Sequence, residues 1–135
     1  MGYSVNYLAV LAGGVAYMIL GALWYSPALF GKAWMKGIGK TEAQIKADFK
    51  PISYLWAFLG SLVGSYGIAR LFALAGGGEM MTAIIIALVG GVCLVGATFF
   101  VNDTFDARPR SLTFINILYH LVGLVVAGAI IGAWQ

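Results

Sequence analysis

His120 is the only histidine in the chain, and two polar side chains precede it at helical spacing. Asn116, Tyr119 and His120 stand at i, i+3 and i+4, so on a helix they share one stripe and face a common neighbour. A carboxamide, a phenol and an imidazole in that register can line a polar cavity or hydrogen-bond an adjacent helix. Counted from Leu112 at the helical rise, His120 lies about 12 Å along its helix, near the middle of an apolar layer about 30 Å thick. Asn102 and Asp103 close the preceding apolar run, and Tyr25 and Ser26 close the first; all four are placed to meet the lower part of the stripe as the mouth of a cavity. Two short internal matches, Leu11 to Val15 with Leu88 to Val92 and Leu62 to Gly64 with Leu121 to Gly123, align Ser61 with His120 and add it to the set. One histidine with no carboxylate inside the apolar runs makes a poor proton relay, and bridging helices, at about 1 kcal/mol per bond, is the commoner role of such residues.

Catalytic chemistry finds no second foothold. The chain has no HExxH or CxxC spacing for a metal and no GxxxxGK[ST] loop for a phosphate, and Cys93, its single cysteine, lies within an apolar run. The expectation is a protein that is not an enzyme, with no metal and no cofactor.

The elements that must hold these residues are written in the hydropathy. With 61% hydrophobic and 10% charged residues the chain has too little polar surface to face water. Its apolar runs predict four membrane spans, at about 5–24, 54–75, 81–101 and 112–134, as an all-α four-helix bundle in one transmembrane domain. Five of the eight basic residues, Lys32, Lys36, Lys40, Lys46 and Lys50, fall in the segment 28–51, and Arg108 and Arg110 fall between spans three and four. Both segments then lie on one side. The positive-inside rule makes that side cytoplasmic, with both termini outside. The net charge of +3 is concentrated in these two connectors, so it speaks for anionic lipid headgroups and against nucleic acid.

Segment 28–51 alternates its lysines with Phe30, Trp34, Ile38, Ile45 and Phe49, the composition of a surface-lying stretch. Thr41-Glu42-Ala43-Gln44 matches a capping box and predicts a short interfacial helix over about 42–49. Trp24, Phe30, Trp34 and Trp134 are expected as aromatic anchors at the interface, with Arg70 reaching for headgroups or for Glu79. Gly60, Ser61, Gly64, Ser65 and Gly67 allow close approach and predict that span two is central; Gly128 and Gly132 offer span four a second such pair.

The segment Gly21 to Lys36, GALWYSPALFGKAWMK, together with Val101-Asn102-Asp103 and the span Asn116 to Trp134, resembles the DUF1761 family of small bacterial membrane proteins. The resemblance implies a four-helix protein of the bacterial inner (cytoplasmic) membrane, without an established biochemical role. Two functional classes follow from the residues: an oligomeric conduit for a small solute or ion, with its polar cavity open to the cytoplasm, or a non-catalytic scaffold or lipid- or partner-binding subunit. In the first, a homo-oligomer is expected because four short spans leave little private interior.

Overall fold

The structure, a computed structural model, describes residues 4–135. The first helix, α1 (Tyr7–Trp24), starts where the Asn6 side chain accepts a hydrogen bond of 3.1 Å from the Ala9 amide, satisfying one of the free donors of the first turn. It stops at Tyr25-Ser26-Pro27. The basic connector then folds into two helices. The capping box forms as expected: the Gln44 amide donates to Thr41 Oγ1 at 3.2 Å and the Thr41 amide to Gln44 Oε1 at 2.8 Å, opening α3 (Glu42–Asp48). The other helix, α2 (Gly31–Ile38), has no counterpart in the sequence reading, because its three glycines, counting the C-capping Gly39 at φ 71°, argue locally against a helix. Tertiary contact holds it: Gly37 lies so close to Leu112 that a Cβ there would come within 3.0 Å of it.

Beyond the connector, α4 (Ile52–Leu74) ends in a glycine turn whose Gly76, Gly77 and Gly78 all take positive φ. The third long helix runs from α5 (Met80–Val89) through a π-helical stretch (Gly90–Gly96) into α6 (Ala97–Phe105), and α7 (Arg110–Ala133) closes the chain. Four helices, Tyr7–Trp24, Ile52–Leu74, Met80–Phe105 and Arg110–Ala133, are long and apolar enough to cross a membrane. They match the four predicted runs to within a turn, and no strand occurs among the described residues. Large apolar side chains such as Val63, Leu94 and Leu74 point outward all round the bundle, an exterior suited to hydrocarbon.

The centre of the bundle is α7, not the second span as its glycines suggested. Helix α7 packs against α1, α4, the whole third helix and α2. The reason is which glycines meet a neighbour. A Cβ on Gly132 would meet the Met80 backbone at 2.6 Å, and one on Gly128 would meet the Ala83 carbonyl at 2.9 Å, whereas Gly60 and Gly67 of α4 face open space. What α4 turns inward is Ser61 and Ser65, followed by Ile68, Ala69, Phe72 and Ala73. Ser65 donates to the Val10 carbonyl at 2.9 Å across the tight contact with Gly13.

The two ends of the bundle are tied differently. At the terminal end, Asn6 Nδ2 donates to the Trp134 carbonyl at 2.8 Å, bringing the start of α1 to the end of α7. Arg70 is exposed towards this end, and no ion pair with Glu79 is formed. At the loop end, Trp24 Nε1 donates to the Ile115 carbonyl at 3.0 Å while its ring packs on Phe30. The long basic connector and the Asp106-to-Pro109 turn lie here, where Arg108 and Asp106 pair at 3.8 Å in the open.

Candidate functional site

The polar stripe of α7 does face a common neighbour, and that neighbour is α1. Tyr25 donates to Asn116 Oδ1 at 2.7 Å, Tyr119 donates to the Tyr17 backbone carbonyl at 3.1 Å, and the Tyr17 hydroxyl bonds His120 Nδ1. Two glycines make these approaches possible. A Cβ on Gly21 would come within 2.7 Å of the Tyr119 hydroxyl oxygen, and one on Gly123 within 2.6 Å of two Tyr17 ring carbons. The rings themselves interlock edge to face, Tyr17 with Tyr119 at 5.4 Å and Tyr25 with Tyr119 at 5.3 Å between centroids. Burial, reinforced by the neighbouring Tyr119 phenol, raises the Tyr25 pKa and keeps it a neutral donor to Asn116.

Tyr17 is the residue that sequence reasoning missed. It is buried, it engages both Tyr119 and His120, and its one sequence signal was a phenol in the middle of the apolar run of α1. On its other side His120 stacks on Phe99 of α6, with ring centroids 5.2 Å apart.

The remaining expected residues divide. Ser61 is buried with its hydroxyl beside that of Tyr119, and it donates within its own helix to the Ala57 carbonyl at 2.9 Å, whereas Ser26 donates to Leu23 O at 2.6 Å and stays apart from the stripe. Asn102 is exposed, whereas Asp103 is only 5% exposed. The π-helical stretch explains why neighbours separate in this way. Most residues that the third helix turns inward, Ala83, Ala87, Gly91 and Asp103 with half-buried Val95 and Phe99 between, fall four apart, and buried Gly96 beside Val95 lies off that register. An α-helix turns about 100° per residue, so a spacing of four overshoots by about 40° each turn and walks off the seam. The wider i→i+5 winding absorbs the excess and keeps Phe99 and Asp103 against α7.

In front of Tyr25 and Tyr119 the loop ends of α1 and α4 diverge around a cleft of about 780 Å³. Met18, Ile19 and Ala22 of α1 form one wall and Tyr54 and Ala57 of α4 the other, with Tyr119 behind and Trp34 of α2 at the loop end. Trp34 meets Tyr25 edge to face at 5.6 Å. No charged side chain lines the cleft. The Tyr25 and Tyr119 hydroxyls have both spent their protons on Asn116 and the Tyr17 carbonyl. What the cleft presents is therefore aromatic faces and phenol lone pairs, with the Tyr54 hydroxyl and Trp34 Nε1 as its uncommitted donors. His120 and Asn116 are absent from its lining and stand behind this wall.

Of the lysines in the connector, Lys40 pairs with Asp48 at 3.1 Å and Lys46 with Glu42 at 3.1 Å, while Lys32, Lys36 and Lys50 form no ion pair among the described residues. Trp134, at the other end, is half exposed and serves through its carbonyl.

No curated protein and no solved structure matches the chain. A family model does. Its description is "Protein of unknown function (DUF1761)", and it matches residues 8–132, a range that takes in every helix of the bundle and the segment that supplies Gly21, Tyr25 and Trp34 to the cleft. The chain belongs to the DUF1761 family.

Proposed function

We infer that this is a non-enzymatic, membrane-embedded binding protein for a lipophilic cation, which enters sideways from the bilayer into the aromatic cleft. The observation that carries the reading is the lining: Tyr25, Trp34, Tyr54 and Tyr119 around an otherwise apolar space with no charged side chain. Aromatic faces attract ammonium-like groups by their quadrupole, at about 1–2 kcal/mol each where water is excluded. An anion would find no basic side chain, and only the Tyr54 hydroxyl and Trp34 Nε1 as uncommitted donors. The loop end is taken as cytoplasmic, because the lysine-rich connector lies there, and unpaired Lys32, Lys36 and Lys50 suit anionic headgroups around the cleft mouth.

The test compares two ions of similar size and apolarity but opposite charge. Tetraphenylphosphonium and tetraphenylborate are offered to the protein in nanodiscs of zwitterionic lipid, and saturable binding is measured by equilibrium dialysis. The phosphonium should bind, the borate should not. Trp34→Ala and Tyr25→Ala should each weaken binding about 5–30-fold, while Tyr25→Phe, which keeps the ring, should largely preserve it. Equal uptake of both ions without saturation would overturn the reading.

Passage across the bilayer in a homo-oligomer is a second reading, favoured by the open flank of the cleft between α1 and α4: one chain does not enclose it, and a closed path needs a second copy. Tetraphenylphosphonium flux into proteoliposomes, with assembly state measured in parallel, separates a conduit from a binding subunit.

A further inference from the structure

The described residues contain four buried polar or charged side chains, and three of them are satisfied. Ser61, Ser65 and Thr113 donate to the carbonyls of Ala57, Val10 and Pro109. Asp103 is the fourth. Its Oδ2 is sealed from solvent and no protein donor reaches it. A carboxylate in that position is among the costliest groups a bundle can bury, since both desolvation and lack of a partner count against it.

No cationic side chain of the described residues pairs with it, although Lys32, Lys36 and Lys50 at this end form no ion pair. Of the charged groups at this end, Lys40 is held by Asp48 and Arg108 by Asp106, and Arg110 lies over the Phe100 ring at 4.0 Å with a bond of 2.6 Å to Thr104. Lys36 of α2 makes no ion pair. From the bundle, α7 offers Asn116 and His120, and α1 offers Tyr25. With no cation of the described residues bonded to it, Asp103 is open to a positive charge from solution. Such an ion should be small and monovalent, because no three His, Cys, Asp or Glu side chains come together among the described residues to hold a divalent ion.

The register of the two antiparallel helices connects this position to the cleft. Phe99 stacks on His120; one turn further towards the loop end stand Asp103 on α6 and Asn116 on α7, and Asn116 holds Tyr25 of the cleft wall. We propose that Asp103 is a cation site, loaded from the loop end by a small monovalent metal ion, and linked through Asn116 and Tyr25 to the aromatic cleft. The linkage rests on the cleft binding a lipophilic cation; the site itself does not. Loading neutralises Asp103 and removes a negative charge that favours a cation in the cleft. At the effective dielectric of a protein, one charge a turn or two away changes affinity about tenfold.

The experiment uses the full chain in zwitterionic nanodiscs and has two arms. Without any organic cation, ²²Na⁺ retention is measured; the native chain should retain sodium and Asp103→Asn should abolish it. In the second arm, tetraphenylphosphonium affinity should fall about tenfold on loading in the native chain and stay flat in Asp103→Asn. Should Asp103→Asn fail to assemble, Asp103→Glu keeps the carboxyl and should keep the signal. Absence of sodium retention overturns the site, whatever the cleft binds. A loading signal with phosphonium binding that ignores it overturns the linkage, and a loading signal with no phosphonium binding overturns the cleft reading and leaves the site standing.

Discussion

Replacing Gly123 by alanine adds one methyl group where the seam between α7 and α1 has no room for it. The new Cβ would lie 2.6 Å from Tyr17 Cδ1 and Cε1 and 3.0 Å from Cγ, so the ring must retreat by about 1 Å to reach ordinary contact. It has little freedom to do so: it is 6% exposed, its hydroxyl is bonded to His120, and Tyr119 and His120 pack edge to face against it. Overpacking of this kind costs about 1–3 kcal/mol, and a broken Tyr17–His120 bond adds about 1 kcal/mol. Against this stands the gain in helix propensity of Gly→Ala, about 1 kcal/mol. The net loss is then roughly 1–3 kcal/mol. Gly60→Ala supplies the internal control, since its Cβ would meet nothing within 4 Å and only the propensity gain remains. Reversible unfolding in mixed micelles, followed by tryptophan fluorescence, should therefore move the two variants in opposite directions. Equal stabilities for Gly123→Ala and Gly60→Ala would refute the packing argument.

Two further predictions concern the loop end. Trp24→Phe keeps the ring against Phe30 but removes the donor to the Ile115 carbonyl, and should cost about 0.5–1.5 kcal/mol in the same unfolding assay; no change would mean that the bond contributes nothing net. The orientation is tested by Lys40→Cys in intact cells, where an impermeant maleimide should fail to label until the membrane is opened; labelling from outside reverses the assignment of the loop end to the cytoplasm.

The sequence made the four long helices legible because each is a run of about 20 apolar residues punctuated by Pro27, Pro51, the glycine turn or Pro109, and such runs need no knowledge of neighbours. The capping box of α3 was legible for the same local reason. Helix α2 was not, since Gly31 and Gly37 weaken it locally and its support is a contact with Leu112, far off in the chain. Spacing grouped Asn116, Tyr119 and His120, yet it could not say that Tyr17 answers two of them, nor that the glycines of α4 mostly face outward while those of α7 meet the Tyr17 ring or the backbone of α5. Asn102 and Asp103 were inseparable at 3.6 residues per turn. Only the backbone hydrogen-bond pattern of the helix before them tells them apart.

That pattern makes segment length, rather than side-chain chemistry, the arbiter of what the third helix offers its neighbour. Trimming a residue or two from the glycine-bearing Gly90–Gly96 stretch lets ordinary winding resume with the acid still in place. Rewinding it at constant length instead swivels the whole lower half, swaps Thr98 and Asn102 inward, and leaves a carboxylate stranded among acyl chains.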